Sequence, residues 1–170
     1  MPDKQRRRGL FAGKRARALA MKLLTRHENL HIEEVHEAVG LDNIVRFHTE
    51  GKEGLRELGI ALRAVRAAMT KEEANRLLRP SLRRLKRYGP FSQPVCLFFF
   101  TMEDDGAWYT WVAEPVIEDG QPVLRSGDEA DCRTLDKRAL NEILGRVDSW
   151  YDDLFARLVV NGTGRKAEHT

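Results

Sequence analysis

Side chains able to do chemistry are unevenly spread along this chain. His27, His31, His36 and His48 lie close together, and Glu33, Glu34 and Glu37 stand among them, a residue set that suits a metal ion. In an extended segment His31 and His36 fall on opposite faces, however, whereas an i, i+4 pair on a helix would be the stronger signal. Ser81, Ser92, Ser126 and Ser149 have no nucleophile-elbow surroundings. Cys96 sits in an apolar run, where it reads as a small buried hydrophobe, and two cysteines cannot make a four-cysteine zinc site. No GxxxxGK[ST] loop or dinucleotide fingerprint is present. Asp42 remains, at the start of an extended stretch, with a long series of arginines after it. The carboxylate can hold a cation or serve as an ordinary turn residue, and the guanidiniums suit phosphate.

Those arginines are part of a charge split that the net charge of +3 conceals. Residues 1–90 carry 21 Lys+Arg against 11 Asp+Glu, and residues 91–170 carry 8 against 15. Such asymmetry points to a polyanionic partner, with self-neutralisation between the halves as the ordinary alternative. With 170 residues and 42% hydrophobic content, one domain with a full core is expected, at residues 10–160, between a basic flexible arm (1–9) and a disordered tail (161–170). No apolar run is long enough to span a bilayer, and the Arg-rich start lacks the apolar region of a secretion signal, so a cytoplasmic protein is expected.

The elements that must position these groups follow from periodicity. Apolar residues from Leu10 to Thr25 suit a helix with Lys14, Arg15 and Arg17 outward. Strands are expected over 30–39 and 42–49. Leu55–Val65 alternates like a strand although its alanines and arginines favour helix, and the glycine-rich turn before it selects the strand. Thr70 and Glu73 form a capping box opening a helix to Tyr88, which Pro80 should kink or divide. Val95–Phe100 reads as a strand buried on both faces, and Ala107–Glu114 as its hairpin partner. After a loop with a short strand at Pro122–Leu124, a helix capped by Thr134 runs to about Val160. Its Trp150, Tyr151, Leu154 and Phe155 suit a core or a partner surface. The order is helix, three strands, helix, two strands and a long C-terminal helix, an α/β layout.

From Gly40-Leu-Asp42-Asn-Ile-Val, through the glycine turn and Gly59-Ile-Ala-Leu-Arg63, to the basic helix and Pro94-Val-Cys-Leu-Phe-Phe, the chain resembles the PD-(D/E)XK, or restriction-endonuclease-like, superfamily. The likeness is to a branch with a strand of the form apolar-QxK and a later Tyr-Trp strand. It implies a restriction-endonuclease-like core and a catalytic pair at Asp42 and Arg63, with the second metal-binding group at Ala61. Ala61 offers no ligand, and a guanidinium cannot take over the proton transfers of a lysine, so the D...QxK signature is degenerate.

The function expected on this basis is a nucleic-acid-binding accessory protein without cleavage activity. A basic rim on one side of the molecule, from Lys14, Arg15, Arg17, Arg66, Arg76, Arg79, Arg83, Arg84 and Arg87, would contact the phosphate backbone, of DNA in the first instance. No cofactor is expected. The enzyme alternative is an endonuclease needing Mg²⁺, held by Asp42 and a migrated Glu34 or Glu37. A self-associating scaffold, in the simplest case a homodimer, is the alternative outside nucleic-acid chemistry.

Overall fold

The computed structural model describes residues 2–36, 40–127 and 129–163, with side chains between 12 and 160. The elements are α1 (Pro2–Leu24), β1 (Leu30–Glu34), β2 (Asn43–Phe47), β3 (Arg56–Val65), α2 (Lys71–Lys86), β4 (Val95–Thr101), β5 (Gly106–Glu118), β6 (Gln121–Arg125), β7 (Arg133–Thr134) and α3 (Lys137–Thr163). The strands form one mixed sheet in the order β1-β2-β3-β4-β5-β6, with β7 paired to β5. All neighbours are antiparallel except β3 and β4, which run parallel and are joined by α2 as a crossover.

Leu55–Val65 is extended, as its alternation suggests, and pairs with β2 from Arg56 opposite Phe47 to Ile60 opposite Asn43. Its even residues Leu58, Ile60 and Leu62 join the core beneath α1 and α3, whereas Ala61 joins the core beneath α2. In β4 the division is complete: Cys96, Phe98 and Phe100 face α1 and α3, and Val95, Leu97 and Phe99 face α2. A strand covered on both sides has no polar face to show, which is why its apolar run is unbroken. The molecule therefore has three layers, with α1 and α3 on one face of the sheet and α2 on the other.

Several boundaries differ from expectation. Helix α1 starts at Pro2 instead of near Leu10, so the segment expected as a flexible arm has helical backbone. Residues 161–163, expected in the disordered tail, continue α3, and 164–170 lie outside the described residues. Strand β1 ends at Glu34, while 37–39 lie outside the described residues. Pro80 divides nothing, because Ala74 and Leu78 before it and Leu82 and Leu85 after it are all buried against the sheet. Thr134 is not the cap of α3. It pairs with Trp108 in β7, and Asp136 takes the capping position by accepting a hydrogen bond from the Ala139 N–H at 2.8 Å.

Candidate nucleic-acid interface

Asp42 stands just before β2, where the chain returns from β1. Its N–H donates to the Ile60 carbonyl at 2.9 Å, and its carbonyl accepts from the Val35 N–H at 2.9 Å. Its carboxylate Oδ2 accepts from the Leu62 N–H at 2.7 Å, so the side chain continues the β2–β3 ladder beyond its last backbone pair. Two guanidiniums approach the same carboxylate. Arg63 Nη1 is 3.7 Å from Oδ2, and Arg17 Nη2 is 3.8 Å from Oδ1. Both distances exceed a hydrogen bond, so the attraction is coulombic and, with Arg17 61% exposed, weak. Asp42 and Arg63, paired by the resemblance, are thus neighbours.

Among the described residues only Glu34 of the other expected members of a metal centre comes near Asp42. Ala61 is fully buried among apolar side chains. Glu34 shares a narrow cleft of about 30 Å³ with Asp42, Arg17 and His36. Glu37 lies outside the described residues. Glu57 is engaged elsewhere, accepting from Arg46 Nε at 2.7 Å, while Glu33 binds the same guanidinium from β1. These two carboxylates hold the Arg46 guanidinium firmly charged, the bond to Glu57 contributing most. His31, His36 and His48 are exposed and His27 is half-buried. Among the described residues no group of three His, Cys, Asp or Glu side chains is placed to share an ion. Mg²⁺ takes several oxygen ligands in octahedral geometry, whereas here the Asp42 carboxylate is already bonded to an N–H, has two guanidiniums nearby and shares its cleft with Glu34 as the one other carboxylate among the described residues, which do not make up such a shell.

The cations expected to form one rim lie on two surfaces. Lys14, Arg15 and Arg17 project from α1 and belong to one outer layer. Arg15 meets Asp105 at 2.5 Å and Arg17 faces Asp42 at 3.8 Å, while Lys14 has no acidic partner among the described residues. Arg66 is exposed in the turn after β3. Arg76, Arg79, Arg83, Arg84 and Arg87 belong to α2, in the opposite layer.

On α2 the sequence dictates a sharp division. Ala74, Leu78, Leu82 and Leu85 recur at intervals of three and four and are buried. Arg76, Arg79, Arg83 and Arg87 recur at the same intervals half a turn away, so they form a line along the outer surface with Arg84 beside it. Arg79 approaches Glu129 at 3.5 Å, a contact in which that glutamate is 82% exposed. Arg76, Arg83, Arg84 and Arg87 have no acidic partner among the described residues. The helix itself is anchored. Thr70 and Glu73 complete the expected capping box, Lys71 meets Asp131 at 2.8 Å, and Asn75 Oδ1 accepts from the Cys132 N–H at 2.7 Å.

Sequence reasoning overlooked two residues at this surface. Leu77 and Tyr88 are 49% and 46% exposed beside the arginines. An aromatic directly after the run Arg83-Arg84-Leu85-Lys86-Arg87 was the available signal, obscured because Tyr88-Gly-Pro reads first as a helix stop.

No helix among the described residues is long and apolar enough to cross a membrane. No family model matches the chain, and comparison with the curated proteins and with the solved structures finds no match.

Proposed function

We propose that this protein binds nucleic acid through its phosphates, as an accessory protein built on a degenerate PD-(D/E)XK-type core that does not cleave. The fold supports that kinship through its helix, three antiparallel strands, crossover helix, parallel fourth strand and antiparallel fifth. Asp42 beside the middle of β3, with Ala61 and Arg63 two residues apart on that strand, supports it further. The observation that carries the binding function is the line of arginines along the solvent face of α2, four of its five guanidiniums lacking an acidic partner among the described residues. So many like charges on one helix repel one another and are offset by an array of phosphates.

The test is fluorescence anisotropy with labelled DNA. About four phosphate contacts give a log–log salt slope near −3 to −4, and so a loss of about two orders of magnitude in affinity between roughly 50 and 200 mM salt. Plasmid incubated with Mg²⁺ or Mn²⁺ should stay intact. Absence of binding at low salt overturns the proposal, and nicking abolished by Asp42→Ala reinstates the nuclease.

A further inference from the structure

The outer surface of α2 is not symmetrical about its line of arginines. Around the helix, the line of Arg79, Arg83, Arg76 and Arg87 is followed by Arg84 and then, on that side only, by exposed Leu77, and Tyr88 stands in the turn just past the helix end at Lys86. On the opposite side the helix turns inward through half-buried Asn75 and Lys86. Cations therefore run along one track, with exposed Leu77 beside it and an exposed aromatic ring at its end.

The ring is held in place. Gly40 has φ +78°, and a Cβ added there would stand 2.5 and 2.7 Å from Tyr88 Cδ2 and Cε2. One edge of the ring thus rests on the Gly40 backbone, in a space that exists because the residue is glycine, while nearly half of the side chain stays open to solvent. A fixed, exposed aromatic at the end of a guanidinium track is the arrangement that takes a phosphate chain on one side and a base on the other.

We infer that α2 binds a single strand, with its phosphates along Arg76, Arg79, Arg83 and Arg87 and a base stacked on Tyr88. This rests on the binding function proposed above and names the strand state of the ligand. A duplex keeps its bases stacked inside its grooves, so a ring beside one line of phosphates finds no base face there to stack on. Here the flank beyond Arg84 carries Leu77 and Ser81, and Tyr88 offers an exposed ring at its end. From Arg76 to Arg87 the helix advances about 16 Å, at about 1.5 Å per residue. That distance matches about five nucleotides of a stacked strand at about 3.4 Å each.

The experiment compares an oligothymidylate of about 15 nucleotides with a duplex of the same length, by anisotropy at low salt. The single strand should bind about tenfold more tightly, Tyr88→Ala should remove about that factor, and Tyr88→Phe should retain it, because stacking needs the ring and not the hydroxyl. Duplex binding should be the same for all three proteins, and an unchanged melting temperature shows that Tyr88→Ala is folded. Tighter binding of duplex, an undiminished Tyr88→Ala, or displacement of the strand by polyglutamate as readily as by unlabelled oligothymidylate would each overturn the inference. If neither probe binds, the nucleic-acid function itself fails. If both bind alike and Tyr88→Ala is neutral, only the single-strand assignment does.

Discussion

At the scale of single residues, two acids decide how much of this molecule is architecture. Asp42 spends its carboxylate on the Leu62 N–H, inside the sheet, and needs only a neutral acceptor there. Asp42→Asn should therefore keep the stability of the parent, whereas Asp42→Ala should lose about 1–2 kcal/mol by leaving that N–H unpaired, as urea unfolding will measure. Millimolar Mg²⁺ should shift neither midpoint. A Mg²⁺-dependent rise in the parent that Asp42→Asn removes would mean that Asp42 does hold an ion. Asp148 does different work. Arg56 is almost fully buried, and its guanidinium bonds Asp148 at 2.8 Å, Asp152 at 2.6 Å and the Gly54 carbonyl at 2.6 Å, with Phe155 against it. Burial pushes the Asp148 carboxyl upward, but hydrogen bonds from Lys52, Thr49 and Arg56 outweigh it and hold the group below the usual carboxylate range. A carboxyl held lower in the folded state stabilises above its unfolded value, near 4, and that contribution disappears as pH falls through the folded value. Melting temperature should accordingly fall below about pH 4, and Asp148→Asn should flatten part of that descent. At neutral pH, Asp148→Ala should cost about 3 kcal/mol, since it strips a buried cation of one of its two carboxylates.

At the scale of elements, what could be read from the chain was what local chemistry decides. β3 was legible because Leu58, Ile60 and Leu62 alternate behind a glycine-rich turn, and α2 because Thr70 and Glu73 meet across three residues. The buried state of Arg56 was not legible: its partners arrive from α3, more than ninety positions later, and nothing near Arg56 announces them. The cap of α3 was misplaced for a related reason. Thr134 and Asp136 are both good caps, and only the pairing of Thr134 with Trp108 in β7 removes the first. Of the candidate site, the neighbourhood of Asp42 and Arg63 was legible through resemblance, while the separation of the cations was not, because helix faces are assigned by packing. Pro80 is a conflict between local preference and tertiary packing. It removes one backbone donor in the middle of α2, yet the helix stays continuous because four buried side chains pin both halves to the sheet. The exposed Pro80→Ala substitution should therefore raise stability by about 1–3 kcal/mol, seen as a higher urea midpoint at constant slope.

At the scale of the whole molecule, the split between a basic first half and an acidic second half does not become a positive side and a negative side. The three layers redistribute it. Acids from the later half reach back to neutralise the earlier one, Asp105 on Arg15 of α1 and Asp131 on Lys71 at the start of α2. Among the cations that escape, beside Lys14, Lys22, Arg26 and Arg66, are those of the middle and end of α2, where the line Arg76–Arg87 continues past the acids that hold its first turn. Net charge is thus a poor guide to where a polyanion would settle, and local pairing is a good one. The consequence is an unequal response to charge reversal. Arg83→Glu with Arg87→Glu should weaken nucleic-acid binding at low salt and reduce the magnitude of the salt slope by about 1.4 to 1.8, because each phosphate contact contributes about 0.7 to 0.9. Arg15→Glu, which reverses a charge that Asp105 already offsets, should leave the slope unchanged even though it destabilises the fold slightly. Equal losses from both substitutions would show that the two outer layers engage the ligand together. That would require a polyanion long enough to wrap the edge of the sheet, in place of one seated along α2.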